Sequence, residues 1–424
     1  MASCCFGNKV DHFYKCEYSI NEEENEIEVI VDYDISDEIK PINGVRFECV
    51  ETSYEDRDIL IVDKETKNNY LLKSAYYIGA SYSYGSPDGG AKTKFLTHIF
   101  IKHSDFNKLL SLPEKPKATT IQIFSKTLLD WIGTPSITEK KPDDAIEIVL
   151  SKRYPGEEIS FNKNNIRTIK ITDDWTYCKQ KEYLTVDSNG YIELAFIKRV
   201  PYDELYEYVY EIQTFFQLYC PRKFLIDKIY VRINDVTYQL HLPLKSIRYE
   251  KKSIERIVQD NPLIFLEKCY LAIPYRKSKA EFRNIPYIVF KSSRNIEDNF
   301  LIFYRFIECY YKKQQIANIK TTFISYSIRK HYAKNHPSFD EKMIKNRSQE
   351  IITLRNHYVH SGYYIKNSSL KISFGKEKTP DDYTVNNIDA NWILDRTKIL
   401  FDIVIDIIYS EMLGYENYRR GVNY

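Results

Sequence analysis

The segment Arg355-Asn356-His357-Tyr358-Val359-His360, followed directly by Ser361-Gly362, gathers the residue types that proton transfer and phosphate recognition require. An imidazole with an ordinary pKa of about 6.5 takes or gives a proton at neutral pH, which suits His360 to general acid or base work. Arg355 offers a planar fork of donors matched to phosphate oxygens. Asn356 stands four residues before His360, so on a helix the two share a face and the amide can orient the imidazole or a phosphate. An RNA phosphodiester carries its own nucleophile, the 2′-hydroxyl, so an enzyme need only move protons and stabilise a dianionic phosphorane. His357 forms an i, i+3 pair with His360, but no carboxylate or Cys lies within the next turn to complete a metal site, and none is expected.

A capped helix is expected to carry this segment. Ser338-Phe339-Asp340-Glu341 after Pro337 reads as a capping box that opens a helix at Ser338, and Gly362 is its expected stop. Ile344, Ile351, Arg355 and Tyr358 recur at i, i+7, i+11 and i+14, which puts Arg355 on the apolar stripe. A guanidinium there needs a partner: substrate phosphate, or in a purely structural role Glu308 or a helix-end carbonyl. Arg355 and His360 lie about 140° apart on an ideal helix. Either the helix frays or turns before Gly362, or the two act through a second copy. Upstream, residues 295–334 fit one long or two consecutive helices with Phe303, Phe306, Ile307 and Tyr310 inward. Downstream, residues 389–413 form a last helix with the stripe Leu400, Ile403, Val404, Ile407 and Ile408, stopped by Gly414. Residues 251–424 are therefore expected to be all-α.

Residues 1–250 follow the other period. Ile27, Val29 and Val31 alternate with polar neighbours, and residues 59–62, 95–101, 120–124 and 146–150 are short β-rich runs. Asn189-Gly190 and Asn234-Asp235 each divide two such runs and predict hairpins. One amphipathic helix interrupts them, opened by Pro201 and Asp203 and striped by Leu205, Val209, Ile212 and Phe216. The expected fold is multidomain α+β. A β-rich sensor or regulatory region over residues 1–250, with a seam between two lobes near residues 113–145, precedes a helical domain over residues 251–424. Charge divides the same way: residues 251–424 hold 29 Lys and Arg against 19 Asp and Glu, a net of +10, whereas residues 1–250 carry −8. That asymmetry points to a polyanion-handling C-terminal domain.

Several classes are excluded. The 8 Cys of the 424 residues contain no C-x-x-C pair and the N-terminus lacks a signal pattern, so reduced cytoplasmic thiols are expected. Ala2 removes a myristoylation signal, and Cys4-Cys5 is expected to lie in a frayed terminus. No run reaches the roughly 18 apolar residues of a membrane span. Only 13 residues are Gly, against glycine-rich phosphate loops, and the stretch from Gly85 to Thr93 reads as a hairpin loop. His331 and His336, among Arg329, Lys330 and Lys334, could track an RNA backbone but suit a solvated helix end better. Tyr76, Tyr77, Tyr82 and Tyr84 could stack bases but suit half-buried strand positions better.

The order Arg355-Asn356 with His360 resembles the signature of HEPN ribonucleases, an Arg followed by a polar residue, often Asn, and then by His. With 8 His in the chain, that strict form is expected only about 0.02 times by chance. Together with the β-rich region, the strand-helix-hairpin joint at residues 191–242 and the helical C-terminus, it resembles the ApeA-type anti-phage proteins. The resemblance implies a HEPN-like bundle and metal-independent RNA cleavage that halts the infected cell's growth. Arg355, Asn356 and His360 would be catalytic, tRNA a plausible target, a homodimer formed through the HEPN domain, and a phage-derived trigger sensed by the N-terminal region. It implies no cofactor, no metal and no membrane partner. The rival class is a non-catalytic HEPN-like module that binds nucleotide, RNA or protein.

Overall fold

A computed structural model describes residues 2–6, 13–21, 26–32, 57–82, 91–132, 136–140, 147–151, 157–179, 184–219, 224–242, 258, 260–273, 295–313, 323–361, 369–374, 380–416 and 418. The chain divides into two compact units, residues 1–210 with 224–246, and residues 211–223 with 247–424.

The first unit is built on one continuous 13-stranded antiparallel sheet, β-rich as expected. β1 (Ala2–Phe6), β2 (Tyr14–Asn21), β3 (Glu26–Val31), β6 (Ala91–Thr97), β5 (Asn68–Tyr82) and β4 (Arg57–Asp63) pair in that order, and β4 returns to β1 to close a six-stranded barrel. Closure removes the edges of a sheet, so each inward residue meets another. Ile27, Val29 and Val31 fill the interior with Cys4, Cys16 and Phe95. Cys4 and Cys5 are fully buried on β1, so the terminus is an interior strand and not a frayed end.

β5 extends the sheet beyond the barrel. Its residues Asn69 to Leu72 pair with β7 (Phe100–His103), and Tyr76 to Tyr82 pair with β6 across a register shift between Tyr77 and Gly79. The expected run 95–101 is thus two strands. The Thr97 hydroxyl separates them by donating to the Lys73 carbonyl at 2.8 Å and accepting from the Ile99 amide at 3.2 Å. From β7 the sheet continues through β15 (Val236–His241), β14 (Lys228–Ile233), β8 (Lys117–Ser125), β13 (Leu184–Pro201), β12 (Ile166–Lys179) and β11 (Glu157–Lys163). The short pair β9 (Ser136–Lys140) and β10 (Glu147–Ser151) forms a sheet of its own. Helices α1 (Phe106–Leu110), α2 (Lys126–Ile132) and α3 (Leu205–Tyr219) complete the elements before residue 224.

One predicted hairpin forms and the other does not. Asn234 and Asp235 both adopt positive φ, 46° and 63°, which is the twist a two-residue turn between β14 and β15 needs. At Asn189-Gly190, however, β13 runs straight through, pairing Gly190 with Asp173 on β12 and with Ser125 on β8. Gly190 serves packing instead, since a Cβ there would stand 2.9 Å from the Leu128 side chain on α2. Gly190→Val is therefore expected to destabilise the protein by about 1–3 kcal/mol, read from urea unfolding. An unchanged midpoint would refute this packing role.

Among the described residues the second unit is helical with one β insertion. It contains α4 (Pro262–Ala272), α5 (Ile296–Lys313), α6 (Phe323–Ser327), α7 (Glu341–Ser361) and α8 (Ala390–Asp406). α6 continues as a π-turn through Tyr332, and α8 through Met412. Phe303, Phe306, Ile307 and Tyr310 are buried on α5, as their spacing requires, and Phe303 meets Phe401 of α8 at 5.5 Å. α8 is capped by Asp389, whose carboxylate accepts from the Trp392 amide at 2.7 Å, and the chain turns at Gly414 with φ 72°. The expectation of an all-α region needs correction. β16 (Leu370–Ile372) and β17 (Tyr383–Val385) form an antiparallel pair within it, and the Tyr383 hydroxyl ties that pair to α7 by donating to Glu350 at 2.6 Å. Among the described residues no helix is long and apolar enough to cross a membrane.

Candidate active site

α7 begins two residues later than the capping-box pattern predicts. Asp340 is the cap: its carboxylate accepts from the Met343 amide at 2.7 Å and its carbonyl from the Ile344 amide at 2.9 Å. Asp competes well with Ser at this position, and Glu341 is drawn off to a two-pronged ion pair with Arg329 at 2.9 and 2.6 Å. Ile344, Ser348, Glu350, Ile351, Leu354 and Tyr358 are the buried positions of α7, and Tyr358 meets the edge of Phe300 on α5 at 5.6 Å.

A buried ion pair fixes the middle of α7. Arg396 of α8 donates to Glu350 through Nε at 3.0 Å and Nη2 at 2.7 Å, with its guanidinium 4.0 Å from the Trp392 ring centre. Burial pushes the Glu350 carboxyl up, against the Tyr383 hydrogen bond and the Arg347 charge that pull it down.

Arg355 sits at the margin of the buried stripe, which passes through Leu354 instead; it is half-buried, not inside. Its Nη1 donates to the Asn356 carboxamide oxygen at 3.1 Å, and its guanidinium lies 5.6 Å from the ring centre of Tyr304 on α5. Glu308 pairs with Lys312 at 3.0 Å. The Tyr304 hydroxyl is pushed up to about 12, chiefly by burial, then by the Glu308 charge, with Arg355 opposing. A ring under a guanidinium holds it without consuming its outward donors. Asn356 and His360 are exposed, and His357 is half-buried.

α7 stays helical through Ser361. The expected fraying before Gly362 is absent as far as the described residues reach, and Gly362 itself lies outside them. On a regular helix Arg355 and His360 remain about 140° apart and about 7.5 Å offset along the axis. Asn356 joins them, bonded to Arg355 and one turn from His360.

Residues 10–285 match the sequence model of a family described as ApeA N-terminal domain 1. The chain belongs to the ApeA family. ApeA proteins are anti-phage defence proteins, and the matched span runs from the barrel to beyond α4, ending before α7. No curated protein and no solved structure matches the chain.

Elsewhere in this ApeA chain, the basic run at the end of α6 is a solvated helix end, with Arg329, Lys330, Lys334 and His336 exposed, but its cations are already paired. Arg329 pairs with Glu341, Lys330 with Glu411 at 2.7 Å and Lys334 with Asp406 at 2.8 Å. His331 is 1% exposed. Its Nδ1 lies 2.7 Å from Asp406 and its Nε2 2.7 Å from the Tyr311 hydroxyl. The ring thus bridges the Asp406 carboxylate and the Tyr311 phenol, with both of its nitrogens engaged. The spacing of residues gave no hint of this network; the only signal was an acid, Asp406, set in the apolar stripe of α8. Tyr76 is exposed, Tyr77 packs on Phe95, and the Tyr82 side chain and Tyr84 lie outside the described residues. So do residues 83–90 of the expected Gly85 loop; a strand, β6, follows them, where a phosphate loop requires a helix. Among the described residues no three His, Cys, Asp or Glu gather as a metal site.

Proposed function

We propose that this ApeA-family protein is a HEPN-type ribonuclease of anti-phage defence, in which Arg355, Asn356 and His360 cut RNA without a metal ion and the β-rich unit restrains them until infection. The observation that supports it best is the setting of Arg355: a guanidinium steadied by Tyr304 and Asn356, five residues before an exposed His360 on one capped helix. His360 takes the proton of the 2′-hydroxyl, and the freed oxygen attacks phosphorus. Arg355 donates to the non-bridging oxygens as charge builds on them. A second imidazole, protonated, gives its proton to the departing 5′-oxygen, leaving a 2′,3′-cyclic phosphate and a 5′-hydroxyl.

One regular helix does not turn both Arg355 and His360 of a single chain onto one phosphate. A two-fold contact at this end of α7 would bring the patch to itself and supply the second imidazole. The expected solution mass is near twice 50.4 kDa, with specific activity falling as dilution separates the copies. A monomer that keeps full specific activity would refute the shared site.

The test of function is expression in cells. Wild type should arrest growth and His360→Ala should not, with RNA ends, tRNA ends foremost, carrying cyclic phosphate during arrest. Arrest by both proteins, or arrest without new RNA ends, would remove the nuclease and leave a binding module.

A further inference from the structure

We propose that the first unit binds single-stranded nucleic acid on the face of strands β13, β8 and β14 opposite α2, at Phe124, Tyr191 and Tyr230. Strand alternation separates two faces here. Ile121, Ile123, Ile192, Leu194, Ile229 and Val231 are buried on one. That face receives α2, through Leu128 against Gly190, and the first turn of α3, through Tyr208 against Phe196 at 4.8 Å. The residues between them point the other way, to the side of the sheet away from α2.

The registers give the pattern on that other face. Tyr191 of β13 lies opposite Phe124 of β8, which lies opposite Lys228 of β14. In the adjacent row Glu193, Gln122, Tyr230 and Gln239 follow one another across four strands. Phe124 stacks on Tyr191 at 4.9 Å and 27° and meets Tyr230 edge-on at 5.4 Å. The three rings are half-exposed and touch, forming one aromatic strip over three adjacent strands.

Charge decides what the strip would take. Along β14 the outward residues read Lys228, Tyr230, Arg232, and both cations are exposed with no ion pair among the described residues. The one carboxylate inside the strip, Glu193, is occupied by the Gln122 amide at 2.5 Å. Over residues that sum to −8, an aromatic strip edged by two unpaired cations fits a chain of stacked bases with phosphates alongside. Aromatic faces accept any base, and the flanking amide of Gln239 offers hydrogen bonds to base edges. A duplex hides its base faces and should not bind here.

The test measures fluorescence anisotropy of labelled oligo-deoxythymidylate with the full-length protein. This probe lacks the 2′-hydroxyl, so the result is independent of the proposed nuclease, and Arg355→Ala protein serves as a parallel background. Binding should weaken about tenfold or more in Tyr230→Leu and in Phe124→Leu. Because those rings also support the sheet, Lys228→Gln/Arg232→Gln supplies a surface variant. It should reduce the slope of log affinity against log salt by about 1.4, with an unchanged melting temperature. Oligo-uridylate should behave alike with His360→Ala protein, and duplex DNA should compete poorly. No binding of single strands, binding lost in Arg355→Ala but kept in the sheet variants, or a duplex bound equally well would each overturn the proposal.

Discussion

His360→Ala and Arg355→Ala are each expected to lower single-turnover RNA cleavage by about two to four orders of magnitude, the usual range for a lost proton-transfer group or a lost charge stabiliser. His357→Ala should keep most of the activity. The three side chains stand on one helix, yet only two of them have the setting the chemistry needs. Arg355 lies over the Tyr304 ring with its amide neighbour Asn356 as hydrogen-bond partner, and His360 is exposed on the last turn. Arg355→Lys keeps the charge but loses the fork that Asn356 and Tyr304 orient, so it too should fall well below wild type. Cleavage should persist in EDTA, end in 2′,3′-cyclic phosphate and spare all-DNA strands. Activity that vanishes on chelation and returns with magnesium would defeat the mechanism. A His357→Ala protein as inactive as His360→Ala at the same melting temperature would show that the proton-transfer residue has been misassigned.

The parts of this fold written in short-range periodicity were legible, and those decided by distant partners were not. Ile27, Val29 and Val31 needed only alternation to declare a strand, and Phe303, Phe306 and Ile307 only helical spacing to declare an inner face. The Asn234-Asp235 turn was readable because its positive φ values are a local matter. Asn189-Gly190 carries the same chemistry, yet there a helix 60 residues earlier in sequence presses Leu128 against the glycine, so packing decides the use of the missing side chain. Ser338 lost the cap to Asp340 because Glu341, the capping-box acid of the pattern, is bound by Arg329. The closure of the barrel through β5 and β6 left no local trace at all, since it is a register between whole strands. At the candidate site the residue types could be read in order, but Tyr304, which steadies Arg355, comes from another helix and carries no spacing signal.

The network around Asp406 should be the most acid-sensitive part of the helical unit. Its carboxylate, 2% exposed, is approached by His331 at 2.7 Å, Lys334 at 2.8 Å and the Tyr418 hydroxyl at 2.9 Å. Burial alone would push the group up; the hydrogen bonds from His331, Lys334 and Tyr418 outweigh it and hold the carboxyl at about 2, below the ordinary 3.8. The unfolded chain therefore takes up the proton first as pH falls. The stabilisation, about 2 kcal/mol for a shift of this size, is whole above about pH 5 and drains away as pH falls toward 2. Removing the carboxylate costs more than the pH term, because His331 is buried and would lose the acceptor for Nδ1 while Lys334 loses its counter-charge. Asp406→Ala is expected to destabilise by about 3–5 kcal/mol. Asp406→Asn keeps an oxygen acceptor and should cost less, but its unfolding free energy should no longer show the wild-type loss between pH 5 and 2. Urea titrations of both proteins across that range supply the difference. Parallel pH curves for wild type and Asp406→Asn would mean that the carboxylate does not carry the acid sensitivity.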